Sequence, residues 1–146
     1  MFHSIKKYLQ KAKEEASKEY AINSGAREGS GNQDWFQRGG AGPWIGVDLD
    51  GTLAVWDQDS SLDRVGEPVP DMLALVRKMI QNGIRVKIFT ARASDPEQLP
   101  LIREWLKENG LPDLEITNIK DYYMQRLYDD RCIQVEKNTG RLIKEH

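Results

Sequence analysis

Histidine is almost missing from this chain: among 146 residues it occurs only as His3 and His146. That argues against a histidine general base, a Ser-His or Cys-His dyad, or a histidine-bound zinc inside a folded core. Cysteine is limited to Cys132, so no internal disulfide can form and the chain fits a reducing compartment. No apolar run approaches the ~18 residues of a membrane span. The first seven residues lack the apolar core of a signal peptide. Positive charge is not in excess either: the formal charge is -2 and the pI about 5.7, so no overall basic field gathers nucleic acid, although a local basic groove remains open. A cytoplasmic protein with no membrane partner is expected, and any chemistry falls to carboxylates, hydroxyls and lysine.

Two regions are expected. Residues 4–22 carry a thin apolar stripe (Ile5, Tyr8, Leu9, Ala12, Ala16, Tyr20) among lysines and glutamates, the pattern of a solvated helix. Residues 23–43 are glycine-rich and read as a linker, with Trp35-Phe36 as a segment that docks onto the domain. Neither glycine cluster is followed by Lys-Ser or Lys-Thr, so neither reads as a phosphate loop. The globular domain is placed at 44–146. Its first strand, 44–49, leads into a small flap over 51–67 containing Val55-Trp56. A helix from Pro68–Pro70 to the stop at Gly83 presents Met72, Leu75, Val76, Met79 and Ile80. A strand over 84–89 ends at Thr90, and Pro100 starts a second helix presenting Leu101, Ile102, Trp105 and Leu106. Further strands are expected at 114–117, 126–128 and 132–136, the last burying Cys132 as a small core residue. Strands alternating with helices predict an α/β fold with a parallel sheet, whose ligands bind beyond the carboxyl ends of the strands.

The candidate chemistry falls on that one edge: Asp48 and Asp50, Thr90, Lys120, then Asp129 and Asp130. In an extended segment residues two apart face the same way, so Asp48 and Asp50 are expected to converge. Each like-charge pair at about 4 Å costs roughly 4 kcal/mol at an effective dielectric of 20. Such a site needs a cation, and oxygen-only ligands suit a hard ion, Mg²⁺ first.

In this order the elements resemble the haloacid dehalogenase-like (HAD) phosphatase superfamily. Asp48, Asp50, Gly51 and Thr52 match its Asp-x-Asp-Gly-Thr motif, Thr90 its strand-end hydroxyl, Lys120 its lysine, and Asp129-Asp130 its acidic pair. The resemblance covers about 44–136 and implies a three-layer Rossmann-like fold. It implies a nucleophilic Asp48 that forms an aspartyl-phosphate, Asp50 as general acid and base, and Thr90 and Lys120 on the transferring phosphoryl group. Metal ligands would come from Asp48, Asp50 (through its carbonyl), Asp129 and Asp130, with Gly51, Thr52, Ala91 and Arg92 near the substrate. For Arg92 a surface ion pair is the simpler reading.

The short gaps after the first and second motifs leave room for a flap but no cap domain. An open site suits a nucleotide, a nucleic-acid end or another phosphomonoester, or cover by a second copy in a homo-oligomer. The segment around Leu127–Arg131 also looks like the phosphatase half of polynucleotide kinase-phosphatases. The competing readings are a non-catalytic HAD-like module that recruits a partner through residues 1–43, and a purely structural Mg²⁺ or Ca²⁺ site.

Overall fold

In the computed structural model the described residues are Lys7 and 42–143. The helix expected over 4–22, apart from Lys7, the linker up to residue 41, Trp35-Phe36, His3 and His146 lie outside them.

The described residues form an α/β fold around a four-stranded, all-parallel sheet. Its strands are β1 (Trp44–Val47), β2 (Val86–Phe89), β3 (Glu115–Thr117) and β4 (Met124–Tyr128), in the spatial order β3-β2-β1-β4. Between them run α1 (Pro70–Gln81), a 3₁₀ turn (Ala91–Ser94) and α2 (Gln98–Glu108). Proline opens α1, where its missing N–H costs nothing, and Gly83 at φ +75° ends the segment. α2 begins at Gln98, two residues earlier than expected. Pro100 still lies in the first turn, where backbone N–H groups have no intrahelical partner.

Alternation along the strands divides the sheet's faces. Ile45, Val47, Val86 and Ile88 pack in one cluster with Leu73, Val76 and Met79 of α1 and with Ile102, Trp105 and Leu106 of α2. Both described helices therefore lie on one face, and the second helical layer of the expected three has no member among the described residues. Leu101, expected in the α2 stripe, is exposed. The opposite face carries Trp44, Gly46, Lys87 and Phe89. A Cβ at Gly46 would sit 3.0 Å from Leu127 and 3.1 Å from the Trp44 ring, so a larger residue there would require those side chains to shift. The Lys87 ammonium lies 4.4 Å from the Trp44 ring centroid and pairs with Glu115 and Asp121. Asp121 also accepts from Trp44 Nε1 at 2.8 Å. It belongs to the short connection 118–123, which leads from β3 to β4.

The strand expected at 132–136 is absent. The chain instead turns back on itself: Asn138 and Gly140 adopt positive φ, and Val135 bridges Leu142 in antiparallel fashion. The alternating apolar pattern found its partner in the chain's own continuation, not in the sheet. Cys132 is consequently exposed rather than a core residue.

The flap is a hairpin-like excursion. Its legs pair where Val55 N donates to Glu67 O (2.8 Å) and Val69 N to Leu53 O (2.8 Å). Trp105 Nε1 of α2 holds it by donating to Gly66 O at 2.7 Å. Any Cβ at Gly66 would approach Val55 O to 2.2 Å. Gly66→Ala is therefore expected to lower stability by roughly 1–3 kcal/mol in urea denaturation and to speed tryptic cleavage after Arg64. An unchanged midpoint and cleavage rate would contradict this packing.

Candidate functional site

The carboxyl ends of β1 and β4 are neighbours, and that adjacency builds the site. Val47 registers with Tyr128, and Asp48 N donates to Tyr128 O at 2.9 Å. Asp129 and Asp130 thus emerge beside Asp48. One oxygen of each of the three carboxylates lies within 4.8 Å of the others.

Beyond Val47 the backbone turns sharply. Leu49 O accepts from Thr52 N, Leu53 N and Ala54 N, while the Leu49 side chain is fully buried in the core. Gly51 has φ +89°, and a Cβ there would lie 2.7 Å from an Asp130 carboxylate oxygen. Glycine is required twice over, for the turn and for the approach of that carboxylate. The Thr52 hydroxyl donates to Asp130 Oδ1 at 3.0 Å, accepts from Asp130 N at 3.0 Å and sits 3.4 Å from Asp48 Oδ2. It cross-links the acidic group instead of facing outward toward a substrate.

Asp48 is 8% exposed. Burial, then the charge of Asp129, then the hydrogen bond to Asp130 push its pKa from 3.8 up to about 7. Burial also acts to raise Asp130, yet hydrogen bonds from Thr52 and from Asp48 outweigh it and hold that carboxyl below its usual range. The two acids share a proton that resides on Asp48. Burial and then the charge of Asp129 likewise raise the thiol of Cys132, whose neighbourhood to these acids the sequence pattern did not reveal.

Asp50 does not join this group. The strand ends at Val47, so two-residue alternation no longer governs the chain at Asp48 and Asp50. The Asp50 carboxylate turns instead to Arg92, accepting from Nε at 2.7 Å and from Nη2 at 2.9 Å. The ion pair foreseen for Arg92 exists, but it is buried: the Arg92 side chain is 2% exposed. The Asp50 side chain is thus engaged by Arg92, which leaves the expected metal contact to the Asp50 backbone carbonyl, and the guanidinium is committed to Asp50, Gln98 and flap carbonyls. Gln98, which sequence reasoning passed over, buries its amide between Arg92 and Leu62 O. Its only signal was a polar residue at the start of an apolar helix.

Thr90 ends β2 on the same edge, where its hydroxyl accepts from Arg92 N at 3.2 Å and caps the 3₁₀ turn. The hydroxyl proton has no acceptor among the described residues, although the residue is buried. Ala91 is exposed on that turn. Lys120 follows β3, the edge strand, and is exposed. It makes no ion pair among the described residues. The structure thus unites Asp48, Asp129, Asp130, Thr52 and Gly51, pairs Asp50 with Arg92, and leaves Lys120 exposed with no ion pair to either group among the described residues.

The three carboxylates fit a hard divalent cation. They offer only oxygen donors, and Asp48 is raised by burial and by its acidic neighbours even though Arg131 acts favourably on Asp130.

Comparison with known proteins adds little. No family model matches the chain, and no curated protein matches it. A solved structure described as a conserved protein from Bacteroides thetaiotaomicron is similar over 63% of this chain and 78% of its own, at 22% identity and a TM-score of 0.48. At that score the likeness bears on neither fold nor function. No helix among the described residues is long and apolar enough to cross a membrane.

The proton on Asp48 makes metal-free stability depend on pH. Its folded pKa lies above its unfolded value of 3.8, so the associated stability is complete below about 4 and is lost as pH rises through about 7. Asp48→Asn, which retains shape without charge, is expected to raise the melting temperature of metal-free protein at pH 8 and to flatten its fall between pH 5 and 8. Thermal scans across that range check this, and a steeper fall in the variant would refute it.

Proposed function

We propose that this protein is a Mg²⁺-dependent phosphomonoester hydrolase of the HAD-like, capless type. The observation that carries this reading is the buried Asp48 carboxyl facing Asp129 and Asp130, with oxygens close enough to share one cation. Bound there by Asp48, Asp129 and Asp130, Mg²⁺ would offset anionic charge so that a carboxylate can approach a phosphate.

The protein's own residues do the remainder. Asp48 Oδ attacks phosphorus, forming an aspartyl-phosphate as the bond to the ester oxygen breaks. Asp50, after taking a proton from solvent, gives it to the departing alkoxide and then takes one from the water that attacks phosphorus, releasing phosphate and restoring both carboxyls. Thr90 donates its unshared hydroxyl proton to a phosphoryl oxygen. Thr52 and Gly51 keep Asp130 seated beside Asp48. Lys120 adds positive charge at longer range. The substrate class is a nucleotide or polynucleotide end. Trp56, 46% exposed on the flap, offers an aromatic surface beside this machinery, its ring centroid 5.7 Å from the Arg92 guanidinium that holds Asp50.

Release of phosphate from an aryl phosphate is expected to require Mg²⁺, to stop with EDTA and to return on adding Mg²⁺. Asp48→Asn should reduce kcat at least about a thousandfold, and Lys120→Ala should cost distinctly less. Turnover that survives both EDTA and Asp48→Asn would overturn the reading. For the substrate class, Trp56→Ala should raise KM roughly tenfold for nucleoside monophosphates and leave a base-free sugar phosphate's KM where it was. Equal effects on both would remove the case for a nucleobase.

A further inference from the structure

One buried guanidinium joins the Asp50 carboxylate to the 61–64 segment of the flap and to α2. Arg92 Nε and Nη2 grip both oxygens of Asp50, at 2.7 and 2.9 Å. The same Nη2 donates to Arg64 O at 3.0 Å and lies 3.4 Å from Ser61 O. Nη1 donates to Gln98 Oε1 at 2.9 Å, and Gln98 Nε2 in turn donates to Leu62 O at 2.9 Å. A guanidinium is planar and rigid, and its five N–H groups keep a fixed fork. The acceptors from the flap and from Asp50 must therefore occupy one plane together. Moving residues 61–64 strips partners from the nitrogen that holds Asp50, and turning Asp50 away leaves a buried charge supported only by the neutral oxygens of the flap and of Gln98.

We propose that Arg92 is a positioning residue that couples the flap to Asp50, so that the seating of 61–64 and the orientation of that carboxylate change together. Its bearing on catalysis rests on the phosphatase reading of Asp50, whereas the coupling itself does not. A flap seated over substrate would then align the acid–base group, and an unseated flap would release it.

The test begins with full-length protein free of metal and substrate. Exchange of the Val55 amide, which closes the flap's legs, and tryptic cleavage after Arg64 are followed in wild type, Arg92→Gln, Arg92→Lys and Asp50→Ala. Both rates should rise about tenfold in Arg92→Gln and Asp50→Ala and less in Arg92→Lys, with exchange in α1 and β2 unchanged. Acceleration in the Arg92 variants without acceleration in Asp50→Ala would overturn the coupling, leaving Arg92 as a brace for the flap alone. Unchanged rates throughout would overturn it as well. Arg92→Lys keeps the charge and carries the test should Arg92→Gln fail to fold. With an aryl phosphate and Mg²⁺, Arg92→Gln should lower kcat more than it raises KM, and should cost nothing further in an Asp50→Ala background. If no variant or wild type turns over phosphate, the phosphatase reading fails while the exchange result still decides the coupling.

Discussion

Three carboxyl groups crowd the shared end of β1 and β4, and one of them, Asp48, is nearly cut off from water. Their mutual repulsion sets the terms for everything around them. A parallel pairing of β1 with β4 delivers Asp129 and Asp130 to Asp48 with no freedom of register, because a slip of one residue would also turn Val47 and Tyr128 out of place. The chain then has to accommodate the charge at once. Gly51 removes the side chain that Asp130 would strike, and the Thr52 hydroxyl stands between the acids as donor and acceptor. A proton held on Asp48 near neutral pH completes the accommodation without metal. The arrangement is therefore tolerable but unrelaxed, which is the electrostatic condition that favours a cation over a proton.

Two residues away, the opposite solution applies. Asp50, half-buried, meets a positive partner in the buried Arg92, so its orientation is dictated by a bidentate pair rather than by repulsion. The two aspartates of a single short motif are thus set apart by environment. One faces negative charge, the other is held by a fixed cation. Acid–base and nucleophilic roles need that kind of separation, since identical surroundings would give both carboxyls the same protonation behaviour.

Much of this was legible in the residues alone. The apolar runs ending in Asp48, Thr90 and Asp129 announced strands whose tips share an edge, and the proline-to-glycine frame of α1 fixed its limits closely. The flap followed from the absence of helical periodicity between Thr52 and Pro68. Other features were not legible because they depend on partners far along the chain. That Asp50 would turn from Asp48 depended on where β1 stops and on a guanidinium 42 positions away. That 132–136 would leave the sheet depended on the turn at Asn138 and Gly140, whose residue types were visible but whose competition with the sheet edge was not. Local pattern registers the tendency to be a strand and is silent on which partner wins.

The fate of Lys120 follows from the other face of the sheet. Only residues 118–123 are available to run from the carboxyl end of β3 to the amino end of β4, a span that leaves little slack for roughly 3.3 Å per residue. By Tyr123 the backbone has reached the far edge, where its carbonyl accepts from Trp44 N at 3.0 Å. Asp121 is already tied to Trp44 Nε1 and paired with Lys87. The descent must therefore begin almost as soon as β3 ends, and Lys120 is carried along it, away from the acidic edge and into solvent. Lys120 is exposed and makes no ion pair among the described residues, so solvent and salt screen its attraction for the acidic group. The buried lysine that the fold does supply, Lys87, is committed to joining that connection to the sheet through Glu115 and Asp121, and offers the acidic pocket nothing.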